Sequence, residues 1–520
     1  MFPEPGKTPR EDTAAVMKFY KLPKAFPRAV LDEAKRIEDA GLASEAGRRL
    51  DLRKKFIFTC DPVTARDYDD ALSLETDRKG NRILGVHIAD VSHYVKPGSA
   101  IDREAYKRST SVYLCDRVVP MLPEVLCNGL CSLVPNEDRL AFSVFMTFDK
   151  NGEMVKREFA KSVIRSKARF TYEQVMDLIR KKGEGKGKKC GGSVPALGKR
   201  EASTILAINE LAQQLRARRF AAGALDLEMP EAEVLLDDEG EMTGIVTRPY
   251  DESHQMIEEC MVAANEAVAK ELWTRGVKIL ARLHEPPDPE KILLLRAELR
   301  GLGVKLGNIE NPKVFAQFLQ SIKRNPLYPT LSMMILRSMK KAVYDSTTIG
   351  HFGLAKKYYA HFTSPIRRYP DLTLHRQLAA YLSNPSKAKV PPKLLARWAE
   401  HTSEREQVAA EAERGLVEIK KFRLMEAQLD SRQILDYDAV ISKCTPFGCF
   451  VEIPELAVSG LVHISLLSHK FVKFNESDQS LSAFGGGSWR AGDRMRVHVA
   501  KVDFRQRRID FVPVRQSRRR

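Results

Sequence analysis

FTCDPVTARDYDDALSLE, Phe58 to Glu75, places four aspartates, Asp61, Asp67, Asp69 and Asp70, in one short segment. The flanks FIFTC and ALSLE are rich in β-branched and aromatic residues and read as strands, whereas DPVTARDYDD carries turn chemistry. The carboxylates therefore fall at a strand-to-loop junction. Like charges packed together raise one another's pKa and resist joint ionisation unless a cation neutralises them. An all-oxygen donor set selects a hard divalent ion, Mg²⁺ or Mn²⁺. An EF-hand calcium loop fails on register. With Asp67 in its first position, Ala71 falls at the fifth, Leu72 takes the place of the glycine and Arg78 that of the bidentate glutamate. A solvated acidic turn is countered by the apolar flanks, which carry the segment into a core.

The rest of the chain gives this segment a setting. At 520 residues it exceeds one typical domain, which predicts one large unit and at least one smaller one. Lys and Arg number 85 against 68 Asp and Glu, a net charge of +17 that suits a polyanionic partner, either nucleic acid or an anionic surface. No apolar run approaches the roughly 18 residues of a membrane span. The start, MFPEPGKTPRED, lacks the order of a signal peptide, so a cytoplasmic protein without membrane contact is expected. The eight cysteines stand mostly alone in apolar contexts, as at Cys60, Cys115 and Cys260, and read as reduced core residues. The close pairs Cys127/Cys131 and Cys444/Cys449 lack the spacing of a zinc site.

Residues 1–50 read as a proline-punctuated extension with an amphipathic helix after Pro27, too small for a domain. The acidic loop opens a β-rich half. RILGVHIADVSHYV alternates like a strand, and RLAFSVFMTFDKNGEMVKREFAKSVI reads as a hairpin turning at Lys150-Asn151-Gly152. Helices dominate the second half: His254 to Trp273, LLLRAELRGLG, LSMMILRSMKKAVY, LTLHRQLAAYL and a long charged segment from Leu394 to Ser431. The run Arg180 to Ser193 reads as a solvated glycine and lysine loop. From about residue 434 the pattern becomes short alternating strands with glycine turns, a small closed barrel of the OB type. The fold class expected is an α+β catalytic unit followed by an all-β barrel. On the barrel, aromatic and basic residues interleave, with Phe447, Phe450, His463, Phe471 and Phe474 available to stack on bases.

A phosphodiester substrate needs positive charge opposite the acidic loop, to stabilise the oxygens that gain charge in the transition state. HFTSPIRRYPDLTLHR, His361 to Arg376, offers it: Thr363 or Ser364 can cap a turn with Pro365 just inside, placing Arg367 and Arg368 near exposed backbone N–H groups. A metal-free ribonuclease would use paired histidines. His87, His93, His351, His361 and His375 are present, but no spacing selects a pair.

CDPVTARDYDDALS, HIADVSHYVKPGSAIDREAYKRSTSVYLCDRVVPMLPE, GHFGLA and YAHFTSPIRRYPDLTLHR together strongly resemble the ribonuclease II / ribonuclease R family, over about residues 51–430. The barrel at about 434–513 is similar to the S1 RNA-binding module that the family carries in this place, and 514–520 form a basic tail. The resemblance implies a processive, hydrolytic, monomeric 3′-to-5′ exoribonuclease that uses Mg²⁺ or Mn²⁺, acts on single-stranded RNA with a free 3′ end and releases nucleoside 5′-monophosphates. It also implies site residues. Asp61, Asp67 and Asp70 would hold metal together with Asp69, the aspartate most needed for cleavage. Arg367 would clamp the scissile phosphate, with Arg368 beside it. Tyr113 would stack on a base near the 3′ end and set the length of the undigested remnant. Glu258 or Glu259 would contact a terminal nucleotide, and Phe447, Phe450 and His463 would bind RNA on the barrel.

Two departures from the family pattern stand out. Leu227 occupies a stretch, GALDLEMPE, in which the family usually has an aromatic residue, so the base clamp opposite Tyr113 is expected to be one-sided. Residues 1–50 resemble only the linker that follows the family's cold-shock barrels, which predicts weaker anchoring of long RNA. A different class, an RNA-binding homologue without chemistry, is disfavoured because it need not keep a self-repelling carboxylate cluster.

Overall fold

The computed structural model describes residues 3–183, 198–226, 231–325, 327–430, 434–476 and 479–514. Leu227, the greater part of the Arg180 to Ser193 loop and the terminal RQSRRR lie outside them.

The apolar runs flanking the acidic loop become strands of one seven-stranded sheet. Its members are β1 (Leu50–Asp51), β2 (Phe58–Cys60), β3 (Asp70–Thr76), β4 (Arg82–Ala89), β7 (Asp138–Phe148), β8 (Met154–Arg165) and β9 (Ala168–Phe170), in the order β1-β8-β7-β4-β3-β2-β9. The short pair β5 (Val112–Tyr113) and β6 (Val118–Val119) stands apart. β7 and β8 form the expected hairpin, with Gly152 in its turn at φ +74°. The β1–β8 and β2–β9 pairings are parallel and join distant segments.

Ala71, Leu72 and Ser73 are buried in succession because the sheet is covered on both faces. Leu72 packs with Phe142, Met256 and Cys260 of one core, while Ala71 packs with Tyr94, Ile366 and Leu372 of the other. The helices Lys199–Ala221 and Glu252–Thr274 supply the first core. The second draws on Arg28–Ala40, Ala100–Arg108 and Tyr369–Ser383. A buried polar row, Ser73–His87–Ser143–Ser162, crosses four strands with hydrogen bonds of 2.9, 2.7 and 2.7 Å.

Several expectations shift. RILGVHIADVSHYV is a strand only to Ala89, after which Val91–Tyr94 turns helical. LSMMILRSMKKAVY is helical only over Tyr328–Ser338; its end enters β13 (Val343–Asp345), which pairs with β12 (Ala281–Leu283). The hairpin β10 (Glu231–Leu236) and β11 (Met242–Arg248) had no reading in the sequence.

The N-terminal extension is fastened rather than loose. Asp12, fully buried, pairs with Lys420 at 3.0 Å and Arg423 at 2.8 Å on the long helix Pro392–Asp430. Val16 and Met17 pack with Val112, Leu114 and Leu416. The long helix leads into a closed barrel of β14 (Tyr437–Thr445), β15 (Gly448–Ile453), β16 (Val458–His463), β20 (Arg494–Asp503) and β21 (Arg508–Pro513). A small sheet is attached to it: β17 (Val472–Asn475), β18 (Ser480–Ala483) and β19 (Ser488–Trp489). No helix among the described residues is long and apolar enough to cross a membrane.

Candidate functional site: an acidic loop facing Arg367

The loop between β2 and β3 is pinned along its length, which fixes where each carboxylate goes. Arg169, from β9, donates to the carbonyls of Pro62 and Val63, both at 2.8 Å. Tyr68 turns inward, its N–H donating to Ser132 Oγ at 3.0 Å. Asp69 is only 5% exposed, and its Oδ1 accepts the Ile366 N–H at 3.0 Å. Asp70 opens β3 opposite Ile88. Asp67 faces outward, where its Oδ2 accepts from the Tyr113 hydroxyl at 3.3 Å.

The arginine segment meets this loop from the other side. Arg367 and Arg368 both donate their backbone N–H to the Ser364 carbonyl, and Ser364 N–H donates to Asp371 at 2.8 Å. The segment is thus a tight turn, and the helix begins only at Tyr369, later than capping by Thr363 or Ser364 would place it. Ser111 N–H donates to the Arg367 carbonyl and Tyr369 N–H to that of Ser109, so the strand bearing Tyr113 is stitched to the same turn. Arg367 Nε lies 3.8 Å from Asp69 Oδ2, with 46% of its side chain exposed. Arg368 serves otherwise than expected: it makes a bidentate pair with fully buried Asp371, at 2.7 and 2.8 Å, and holds the turn together.

Burial dominates the electrostatics of Asp61, Asp69 and Asp70. Asp61 is pushed up to about 8 by desolvation and then by the charge of Asp70, against a smaller pull from Arg169. Desolvation raises Asp70 to about 6, opposed by Arg367 and Arg368. Asp69 is raised well above the ordinary carboxylate range by burial, against Arg367 and the Ile366 N–H. One oxygen of Asp61 is buried with no hydrogen-bond partner, and the neighbouring Thr59 hydroxyl is itself unpaired. Desolvated, mutually repelling oxygens with an orphan among them fit a hard divalent cation. Among the described residues no three His, Cys, Asp or Glu side chains enclose an ion by themselves. That accords with a cation held by one or two carboxylates and completed by water and substrate phosphate.

Raised carboxylate pKa values carry a stability consequence of definite sign. The folded chain holds protons that the unfolded chain releases, so the contribution of Asp61 is full below pH ~4 and is lost as pH rises through about 8. In chelator, the melting temperature of Asp61→Asn should exceed that of the unsubstituted protein by roughly 2 °C at pH ~8, and the difference should shrink at pH ~6. Equal melting temperatures at both pH values would contradict the assigned burial.

A cavity of about 2500 Å³ opens in front of this site. Its wall includes Pro62, Tyr172, Glu258 and Arg367, and the barrel adds Lys443 and Arg490. Glu258 and Glu259 are now distinguished. Both pair with Arg219, but Glu259 is 2% exposed and held at 2.5 Å, whereas Glu258, at 3.0 Å, also lines the cavity and accepts from the Tyr250 hydroxyl. Tyr172, stacked on His254 at 3.9 Å, lies on the same wall and was missed in the sequence, where RFTYEQ gives no chemical signal.

The histidines do not assemble a catalytic pair. His87 is held down to about 3, His351 to about 3 and His375 to about 4, each chiefly by burial. His361 is half-buried, held below its ordinary range chiefly by desolvation and hydrogen-bonded to Tyr344. On the barrel, Phe447 is 49% exposed and meets Phe450 edge to face at 6.0 Å. His463 stands opposite Gly448, where any Cβ would strike the Val462 carbonyl.

Comparison with known proteins gives a consistent result. The RNB domain family matches residues 49–384 and the S1 RNA binding domain matches residues 436–512. Ribonuclease R of Thermotoga maritima is 40% identical, over 99% of this chain and 74% of its own length. Ribonuclease R of Escherichia coli is 35% identical, over 96% of this chain and 62% of its own. The structure of Mycoplasma genitalium RNase R in complex with ribose methylated single-stranded RNA superposes with a TM-score of 0.85 at 29% identity, covering 98% of this chain and 78% of that one. Yeast Ssd1, described as a pseudonuclease, shares the fold at 21% identity and a TM-score of 0.69. With the RNB match spanning well over half of the sequence and relatives at this identity along nearly all of it, the chain belongs to the ribonuclease R family.

Proposed function

We propose that this protein is a 3′-to-5′ exoribonuclease that hydrolyses single-stranded RNA to nucleoside 5′-monophosphates with Mg²⁺ as cofactor. Residues 51–430 form the catalytic unit and 434–513 the RNA-binding barrel. The observation that carries the reading is the approach of Arg367, which lines a cavity of about 2500 Å³, to buried Asp69 on the loop that also holds an unsatisfied Asp61 oxygen.

One or two of Asp61, Asp67 and Asp70 would hold the cation, with water and substrate phosphate completing its shell. When bound, it supplies a Lewis acid and lowers the pKa of water. Asp69 orients the reacting groups: its carboxylate is fixed by the Ile366 N–H, so little reorganisation remains at the moment of reaction. Arg367 offers a planar fork to the phosphate, with its side chain half-exposed toward the cavity. Arg368 and Asp371 hold the turn that aims it. Tyr113 is 41% exposed and tethered to Asp67, a position from which its ring supports a base one step from the carboxylates.

The direct test is end-labelled oligo(A) incubated with Mg²⁺ and again with chelator. Accumulation of mononucleotide that chelator abolishes supports the enzyme, and intact RNA in both refutes it. Tyr113→Ala should lengthen the final undigested fragment by one or more nucleotides on a sequencing gel. An unchanged limit product would remove Tyr113 from the site.

A further inference from the structure

The two most exposed large apolar side chains among the described residues are Phe484, at 82%, and Phe471, at 77%. They are neighbours: Phe484 N–H donates to the Phe471 carbonyl, extending the β17–β18 ladder by one step beyond Val472 and Ala483. The ladder alternates cleanly. Val472, Leu481 and Ala483 point into the barrel core, while Phe471 and Lys473 point outward with Phe484. The core is closed without the two rings, so nothing in the fold requires them.

Their surroundings are basic. No acidic residue occurs from Ile464 to Asn475 or from Ser480 to Gly492, whereas His469, Lys470, Lys473 and Arg490 do. Lys470 Nζ lies 2.6 Å from where a Cβ at Gly485 would stand, so glycine at this position, with φ +89°, lets the ammonium settle beside Phe484. The hairpin also has a direction. At its turn end, Gln479 lines the cavity in front of Arg367, and Arg490 lines the same cavity. Phe471 and Phe484 mark the opposite end, roughly 16 Å away at the rise of an extended strand.

We propose that Phe471 and Phe484, with Lys470 and Lys473, form a base-stacking platform for single-stranded RNA upstream of the nucleotides in the cavity. This platform adds to the Phe447, Phe450 and His463 group, and the proposal rests on the exoribonuclease reading for the identity of the ligand. Flat apolar rings beside ammonium groups match a strand of bases and phosphates, and stacking accepts every base. An acidic protein partner would match the lysines but not two unsupported rings.

The test uses the full chain in chelator, with binding measured for RNA of about 30 and about 5 nucleotides. Phe471→Ala/Phe484→Ala should weaken binding of the long RNA about tenfold or more, with an unchanged slope of log Kd against log salt, and leave the short RNA unaffected. Lys470→Ala/Lys473→Ala should instead reduce the salt slope by about one for each phosphate that a lysine neutralises. Unchanged affinity of the phenylalanine variant for the long RNA overturns the proposal. So does a sedimentation result in which the rings mediate self-association and RNA binding is indifferent to them. Hydrolysis of the short RNA with Mg²⁺ is a separate readout: its absence would refute the exoribonuclease reading, while the affinity difference still decides the platform.

Discussion

Replacing Asp69 with Asn should lower kcat by at least about 10³-fold while Kd for RNA changes by less than about twofold. The asparagine oxygen can keep the Ile366 N–H bond, so the loop stays in place and only the carboxyl group is lost. That carboxyl sits 3.8 Å from the Arg367 guanidinium and is almost fully shielded from water, where electrostatic effects are largest. Because the side chain is buried, it has no surface on which to hold RNA in the ground state, and the loss falls on the reaction step. Single-turnover kinetics and equilibrium binding on one preparation separate the two quantities. A parallel loss of affinity and rate would contradict the division of roles.

Arg367→Ala should lower kcat/KM by about 10²–10³-fold, the scale of removing one donor that stabilises developing charge. Arg367→Lys should recover only part of it, since a single ammonium cannot reproduce the bidentate fork. Arg368→Ala should act differently. It leaves Asp371 buried and unpaired, which destabilises the turn and lowers the melting temperature together with activity. Equal effects of the two substitutions on melting temperature would mean that Arg367 is structural too.

The parts legible in the sequence were those whose chemistry is local. Asp67, Asp69, Arg367 and Tyr113 each lie in short runs with distinctive residue types, and the structure links these runs through the Ile366–Asp69, Ser111–Arg367 and Tyr113–Asp67 bonds. The β7–β8 hairpin, the helix Glu252–Thr274 and the terminal barrel followed from periodicity for the same reason. What stayed hidden depends on partners far along the chain. The different settings of Glu258 and Glu259 depend on Arg219, about forty residues away, which pairs with both but buries only Glu259, while Glu258 also lines the cavity. The commitment of Arg368 depends on which way the turn rotates it toward Asp371. The parallel pairings of β1 with β8 and β2 with β9 leave no mark on local patterning. The fastening of residues 3–22 follows from a buried Asp12 that the sequence alone presents as an ordinary surface acid.

In the proposed arrangement the scissile phosphate is held between the carboxylate loop, through a cation, and Arg367. A single phosphorothioate at the 3′-terminal linkage of an oligonucleotide, with cleavage in Mg²⁺ compared with cleavage in Mn²⁺, which tolerates sulfur better, probes that arrangement. Slow cleavage of one diastereomer in Mg²⁺, with substantial recovery in Mn²⁺, is the predicted result. Equal rates for sulfur and oxygen substrates in both ions would contradict it.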